Sequence, residues 1–241
     1  YRVATLGSGA GVAAIYYLNE HGLSYGQAFG LYMLQYAFHK FSIAVFSLLF
    51  FAVNWAYMTG HFCDYVGLLE AGYGLTVLIT LGLVLFCCSA RFHRLLFRLF
   101  DFVNKKTKNR FAPMFYQLQD QCHMMEEASK HLLKNRLLIA ETIGLNLLKL
   151  AFWYSIPFLI FGSDSGIALQ EVLAITSLSV MLAAVIPSPA GIGSTEFVFT
   201  SLFAGIVGTG AAGSASLLYR FGTFVFPFLV GAIVVLVRRV R

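Results

Sequence analysis

The sequence predicts an all-α membrane protein: a polytopic helix bundle that includes helices broken, or made re-entrant, by glycine and proline. The 241 residues are 59% hydrophobic and only 12% charged, whereas soluble domains carry about 25% charged residues. Apolar stretches of about 20 residues, the length that crosses about 30 Å of hydrocarbon, recur along the chain. We therefore expect one membrane domain over residues 1–241 and no separate soluble domain.

Five apolar stretches are long enough to span the bilayer, and two more are shorter. The long stretches lie at 28–58, 68–90, 137–161, 168–186 and 212–237, and the short ones lie near 3–18 and 194–207. The first residues contain neither an initiator Met nor a basic segment followed by a long apolar core, so they do not read as a signal peptide. We interpret the chain as a fragment whose N-terminus is truncated.

The basic residues are concentrated in one connector, residues 91–136. This segment holds ten basic and four acidic residues, which accounts for the whole formal net charge of +6. The positive-inside rule places it in the cytoplasm together with the tail "RRVR" at 238–241. Arginines alternate with phenylalanines and leucines at its start, and apolar residues at helical spacing follow Pro113, which predicts amphipathic helices at the membrane surface. The charge therefore indicates sidedness and not a nucleic-acid partner.

The segment "PSPAGIGSTE", Pro187 to Glu196, interrupts the path of the chain through the membrane. We count the membrane crossings from the basic connector, which is taken as cytoplasmic. The chain then runs outward through 28–58 and 137–161, and it runs inward through 68–90 and 168–186. If 212–237 ends inside, residues 187–211 must return the chain to the outer side with about 14 apolar residues. A half-helix or re-entrant element solves this, because irregular backbone survives at membrane depth only beside protein or a wet cavity.

A similar pattern stands near the N-terminus. "GSGAG" at 7–11 precedes a short apolar segment and then a long span, as the later break does. The spacings of Gly11, Ala28 and Tyr36 nearly match those of Gly193, Ala211 and Tyr219, and the charge rule gives the two spans opposite directions. This pattern is typical of an inverted-topology repeat, in which broken helices meet near the midplane and form the site.

Charged residues inside the apolar spans are candidates for function, because each costs several kcal/mol to insert and usually faces a partner or a cavity. They are Lys40, Glu141, Lys149, Glu196 and Arg220, of which Glu141 is close enough to the cytoplasmic end to snorkel to the interface. Two alternatives stay open: the charges pair with one another only to hold helices together, or they snorkel to an interface. For Glu196 and Arg220 we favour function, since the acid begins a broken segment whose N-terminal amides attract anions.

The remaining polar motifs predict no cofactor and no metal. The four cysteines lack CxxC spacing, the histidines lack an HExxH arrangement, and there is no Walker-type loop for ATP. No catalytic motif is recognised. The aromatic residues Tyr16, Tyr17, Phe152, Trp153 and Tyr154 are interpreted as anchors in lipid or at the membrane interface.

Two motifs resemble one membrane protein family. "PSPAGIGSTE" followed by "SLLYRFGTFVFPFLVG" is similar to the C-terminal signature of the lysylphosphatidylglycerol synthase transmembrane family, also called flippase-like proteins. "GSGAGVAAIYYLNEHGLSYGQAF" is similar to the N-terminal glycine-rich loop of that family. The resemblance implies the membrane domain that moves aminoacylated phosphatidylglycerol to the outer leaflet in multiple peptide resistance factors, or a stand-alone relative, in the bacterial cell membrane.

The resemblance and the charge pattern together give the expected partners and site. The partners are the membrane and a phospholipid, anionic or aminoacylated, and a homo-oligomer stays open. The alternative function is the membrane portion of a phosphatidylglycerol lysyltransferase whose soluble catalytic domain is not in this chain, and a third is a structural scaffold. The expected lipid-binding residues are Pro187, Pro189, Gly191, Gly193, Glu196, Tyr219, Arg220, Lys149, Lys40, Gly9 and Gly11.

Overall fold

The computed structural model describes residues 10–62, 66–89, 92, 112–162, 166–183, 186 and 191–240. These residues are almost entirely helical, and no strand occurs among them. The all-α prediction is therefore confirmed. The arginine-rich stretch 93–110, Gly9, Pro187 and Pro189 lie outside the described residues, so the expectations placed on them stay predictions.

The helices follow the apolar pattern closely. In chain order they are α1 (Ala10–Glu20), α2 (Tyr25–Val53), α3 (Trp55–His61), α4 (Val66–Cys88), α5 (Ala112–Lys134), α6 (Arg136–Phe161), α7 (Leu169–Ala183), α8 (Ser194–Val207), α9 (Thr209–Arg220), a π-helical turn (Phe221–Val225) and α10 (Phe226–Val240).

Four of the described helical stretches are long and apolar enough to cross a membrane: α2, α4, α6, and the run from α9 into α10. By contrast, α7 has 15 residues and α8 has 14. At 1.5 Å per residue they are only about 21–23 Å long, shorter than the hydrocarbon core. The stretch 168–186, which we predicted as a full span, is thus shorter than predicted, while 194–207 is a short helix as expected.

The predicted span 28–58 ends early, at Asn54. The Asn54 side chain donates hydrogen bonds to the carbonyl of Phe50, at 2.9 Å, and to the carbonyl of Gln170, at 3.2 Å. An amide side chain that bonds neighbouring carbonyls competes with the helical backbone, and the helix stops there. Hydropathy alone does not predict the end of α2 at this point, because most of the next residues, which form the start of α3, are also apolar.

The described chain divides into two compact units. The first is built from Lys40–Val77 and Ile143–Arg241, and its core surrounds α7. Eleven of the fifteen α7 residues are buried, including Thr176, Ser177 and Ser179. The hydroxyls of Ser177 and Ser179 donate to carbonyls of their own helix at 2.8 Å. These two hydroxyls therefore have partners within the buried helix itself.

The second unit is built from Gly11–His39 and Leu78–Thr142, and α5 packs on the start of α2 within it. A Cβ atom added to Gly26 would lie 2.4 Å from the carbonyl oxygen of Gln121, and one added to Gly30 would lie 2.6 Å from Met125 Cγ. The two glycines are four residues apart on one helix face, which allows close backbone approach. The helix predicted after Pro113 is confirmed, and Met125 and Ser129 are buried in the part of it from Asp120 onward.

Candidate functional site

The chain breaks between α7 and α8, and glycines shape the part of the break that the structure describes. Gly191 has φ of 69° and Gly193 has φ of 84°. Residues with a Cβ are strained in this left-handed region, so glycine suits both positions. A Cβ on Gly191 would also lie 3.0 Å from Thr195 Oγ1 and 3.7 Å from Arg220 Nη2. The break therefore lies directly against the arginine.

Glu196 connects the start of α8 to that arginine. The Gly193 N–H donates to Glu196 Oε2 at 2.8 Å, and Arg220 Nε donates to Glu196 Oε1 at 2.7 Å. The carboxylate thus satisfies one of the amides that a helix N-terminus leaves unpaired and at the same time neutralises a guanidinium. Two cationic or partly positive groups converge on a single anionic group.

A tight turn at Gly208 brings these two residues together although they are 24 positions apart. Gly208 has φ of 82°, α8 ends just before it and α9 begins just after it. The two helices form an antiparallel hairpin, in which the start of α8 lies against the end of α9. Phe199 and Tyr219 stack across the hairpin with ring centroids 5.5 Å apart.

The residues after Arg220 form a π-helical turn, Phe221–Val225. Pro227 follows it and has no N–H to donate to the carbonyl four residues earlier, which favours an irregular turn at this point. Arg220 Cζ lies 5.2 Å from the centre of the Phe224 ring, a cation–π arrangement. The predicted long span 212–237 is therefore helical without a break, but its helix changes to a π-helical turn directly after Arg220.

The pair is largely shielded: the Arg220 side chain is 15% exposed and the Glu196 side chain 27% exposed. A charge in such surroundings is stable only while a partner and hydrogen bonds compensate it. Removing either partner leaves the other poorly solvated, whereas a ligand that supplies the missing charge can take the partner's place. Chemically, such a site is suited to exchanging the Glu196–Arg220 ion pair for ion pairs with a charged ligand.

Five of the predicted site residues thus lie at one place: Gly191, Gly193, Glu196, Tyr219 and Arg220. The hypothesis that the acid and the arginine pair with each other agrees with the geometry, and whether the pair also serves function stays a prediction.

The other described candidates have their own surroundings. Lys149 donates to Asn146 Oδ1 at 3.0 Å and lies 5.4 Å from the centre of the Trp153 ring, both on its own helix. Lys40 is half-buried on α2, next to the buried His39. A Cβ on Gly11 would lie 3.0 Å from the ring of Tyr32, so the short helix α1 approaches α2 closely at this glycine.

Sequence reasoning misassigned one residue of the first unit. Tyr154 was interpreted as a lipid or interface anchor, but its side chain is 1% exposed and packs edge-on against Phe46 with ring centroids 5.2 Å apart. Leu150 and Pro157 share its buried helix face. Among the described side chains, the Tyr154 hydroxyl is one of the few buried polar groups without a hydrogen-bond partner. The helical spacing to Leu150 and Pro157 was the available signal.

Within the described ranges, no three His, Cys, Asp or Glu side chains are grouped as metal ligands. An open groove on the second unit is lined by Gln27, Leu31, Glu127, Ala128, His131 and Leu132. None of the residues predicted for the site lines this groove. The charge pair at the helix break is therefore the arrangement around which a function can be argued.

The helices and the charge pair define a class: an integral membrane protein with a broken helix and a shielded ion pair beside the break. A family model described as "Lysylphosphatidylglycerol synthase TM region" matches residues 6–231. The chain belongs to this family, as the two sequence motifs predicted, and its function is related to membrane lipid. Comparison with curated proteins and with solved structures gives no match.

Proposed function

We propose that the protein is a lipid translocator, a flippase-like protein that moves aminoacylated phosphatidylglycerol or a related phospholipid between leaflets. The observation that carries this proposal is the Glu196–Arg220 pair at the start of α8. A carboxylate and a guanidinium, each 2.7–2.8 Å from its hydrogen-bond partner, offer one site for an ammonium and one for a phosphate. Both groups occur together in an aminoacylated phospholipid headgroup.

The expected depth of the pair supports this function. Glu196 and Arg220 are each twelve residues from the turn at Gly208, about 18 Å along their helices. If Gly208 lies at the outer surface, as the charge rule predicts, the pair lies close to the middle of a hydrocarbon core about 30 Å thick. Substrate sites of transporters with broken helices are found at this depth.

The charge balance favours a headgroup that carries both signs. Phosphate alone at Arg220 would take the guanidinium from Glu196, which would keep the hydrogen bond from the Gly193 N–H, and would place two anionic groups side by side. An aminoacylated headgroup replaces both partners at once, since its phosphate takes the guanidinium and its ammonium takes the carboxylate. We therefore expect aminoacylated phosphatidylglycerol to be preferred over phosphatidylglycerol itself.

The proposal includes a location and an orientation. The protein lies in the bacterial cell membrane, with the connector 91–136 and the C-terminus in the cytoplasm. α5 packs on the start of α2, and the charge rule predicts that this end of α2 faces the cytoplasm. The cytoplasmic location expected for α5, as part of the connector 91–136, therefore agrees with the cytoplasmic location expected for the start of α2.

A leaflet assay tests the proposal. The purified chain is reconstituted into vesicles with fluorescent lysylphosphatidylglycerol, and the fraction of probe that a membrane-impermeant quencher reaches is followed over time. We expect translocation by the wild type and a loss of about tenfold or more in E196Q and R220A, because each variant removes one headgroup partner. Rates for both variants equal to the wild-type rate would refute the proposal.

Glu171 provides a matched control for loss of charge at a helix cap that has no arginine partner among the described residues. Its Oε2 accepts the Ala168 N–H at 2.9 Å at the start of α7, the same local geometry that Glu196 has at the start of α8. E171Q therefore removes the charge of a capping side chain without touching the charge pair, and we expect it to translocate lipid at the wild-type rate.

The second candidate is the membrane portion of a phosphatidylglycerol lysyltransferase, which presents lipid to a soluble catalytic domain. The description of the matching family, a synthase transmembrane region, supports it. The two functions differ in what the chain does alone: a translocator redistributes ready-made lysylphosphatidylglycerol, whereas a presenting subunit increases lysyl transfer only when a catalytic domain and lysyl-tRNA are added. The same vesicles can be used for both measurements.

A further inference from the structure

One small space at the helix break, which we call the notch, is faced by two polar groups. It lies where a side chain of Gly191 would begin: a Cβ atom added there would lie 3.0 Å from Thr195 Oγ1 and 3.7 Å from Arg220 Nη2. Among the described residues other than the glycine and its chain neighbours, no further atom lies within 4 Å of that point. A hydroxyl and a guanidinium nitrogen therefore border the same position.

Thr195 reaches the notch from the first turn of α8. Side chains of a helix lean toward its N-terminus, which directs this hydroxyl back to the break. Within the described residues, the hydroxyl has no hydrogen-bond partner. Gly191 and Thr195 are both partly exposed, and Ile192 and Gly193, which lie between them in the chain, are exposed. The notch therefore lies at an accessible surface and not in the core of the unit.

Arg220 presents to the notch a different nitrogen from the one that it presents to Glu196. Nε donates to the carboxylate at 2.7 Å, whereas Nη2 is the nitrogen beside the notch. A guanidinium has five N–H donors, and a hydroxyl adds one more. Hydrogen bonds to a charged acceptor are stronger than those between neutral groups. An anionic oxygen placed in the notch would thus have two donors within reach.

We propose that the notch holds one oxygen of the lipid phosphate and that Thr195 is a further headgroup-binding residue, whose hydroxyl donates to this oxygen. The inference rests on the proposed function, in which Arg220 binds the phosphate. It also gives Gly191 a second role. Besides allowing the positive φ, the missing side chain leaves room for a ligand atom beside the backbone.

T195V tests the role of the hydroxyl, because valine keeps the branched shape of the side chain. We expect the affinity for dioctanoyl phosphatidylglycerol, measured in detergent by the shift of the thermal midpoint with lipid concentration, to fall about tenfold. The affinity for dioctanoyl lysylphosphatidylglycerol should fall by the same factor, since both lipids carry the phosphate. T195S keeps the hydroxyl and should bind both lipids with wild-type affinity.

Thr59 in the same unit is the matched control for loss of a threonine hydroxyl. Its hydroxyl donates to the Trp55 carbonyl of its own exposed helix at 2.8 Å. We expect T59V to leave both affinities unchanged.

A second pair of variants tests the notch through its volume. G191A places a methyl group in the notch, on a backbone with φ of 69°. Gly166 has the same φ of 69° and no atom within 4 Å of an added Cβ, so G166A introduces the backbone strain alone. We expect both variants to lower the midpoint of the lipid-free protein, and only G191A to weaken both lipids, by about tenfold or more.

The outcomes separate this inference from the function on which it rests. Wild-type affinities in T195V together with weakened binding in R220A would overturn the role of Thr195 alone. Equal weakening in T195V and T195S would overturn it too, because the hydroxyl would then not be the group that matters, and so would equal affinities in G191A and G166A. Wild-type affinity for both lipids in R220A would overturn the proposed site as a whole.

Discussion

At the scale of single residues, Glu196 links the backbone at the break between α7 and α8 to the side chain of Arg220. Its two oxygens bond different groups, one on the backbone of Gly193 and one on the side chain of Arg220. A glutamine could keep the first contact, but it carries no charge for the second. The positive φ at Gly193 then sets the direction from which the chain enters α8.

Substitution of Gly193 should destabilise the protein through its backbone conformation. We expect G193A to lower the free energy of unfolding by about 1–2 kcal/mol, because alanine is strained at a φ of 84°. Gly205, inside α8 and without a neighbour within 4 Å of an added Cβ, is the control, and G205A should be neutral or raise stability by up to about 1 kcal/mol. Denaturant titration in detergent measures both, and equal effects would contradict the prediction.

The charge pair should appear as a coupling energy in a double-mutant cycle. We expect E196Q and R220Q to be destabilising singly and the double variant to cost less than their sum, with a coupling of about 1–3 kcal/mol for a shielded pair. The same denaturant titration gives all four values. Additive effects would show that the 2.7 Å contact contributes nothing to stability.

At the scale of the helices, close backbone contact explains how α5 is held. Gly26 and Gly30 face α5 with different clearances: a Cβ on Gly26 would lie 2.4 Å from the Gln121 carbonyl oxygen, whereas a Cβ on Gly30 would lie 2.6 Å from Met125 Cγ and 3.1 Å from the Met125 carbonyl oxygen. A methionine can move away from an added methyl group, but a helix backbone can do so only if the helix shifts. The two glycines should therefore differ in their tolerance of alanine.

We expect G26A to loosen α5 and G30A to do so less. Hydrogen–deuterium exchange of the α5 amides is the measurement, with about tenfold or faster exchange expected in G26A and a smaller change in G30A. Gly82 of α4, in the same unit and with open space around an added Cβ, is the control, and G82A should leave α5 unchanged. Faster exchange in G30A than in G26A would mean that the Gln121 backbone does not limit the contact.

At the scale of the whole molecule, the sidedness of the helices decides whether the charge pair lies at mid-membrane. In a cysteine-free background we would introduce A168C before α7, A211C after the Gly208 turn and K134C at the end of α5, all at exposed positions. We expect a membrane-impermeant maleimide added to intact cells to label the first two and not K134C. Labelling of K134C should appear only after lysis.

Labelling of K134C in intact cells, without labelling of the other two, would mean that the topology is the inverse of the predicted one. Labelling of A168C but not A211C would mean that residues 187–211 do not return the chain to the outer side. Either result would remove the depth argument for translocation. The local geometry of the Glu196–Arg220 pair would stand, because it does not depend on sidedness.

The sequence by itself determined the helical membrane class, four of the five predicted long spans, the short helix at 194–207 and the family. These follow from hydropathy over windows of about 20 residues and from two local motifs, and the bilayer imposes strict length rules on such windows. It also singled out Glu196 and Arg220, since charges are rare in apolar spans. Asn54 was missed because one polar side chain hardly changes the average hydropathy.

Only the tertiary structure decided which of these groups meet. Residues 24 positions apart become partners because the chain reverses at Gly208, and that reversal depends on the packing of α8 against α9 as much as on one glycine. Likewise, Tyr154 could be an anchor or a core residue by composition. Its burial follows from the face that α6 turns toward the core, and a single sequence specifies that face only through long-range packing.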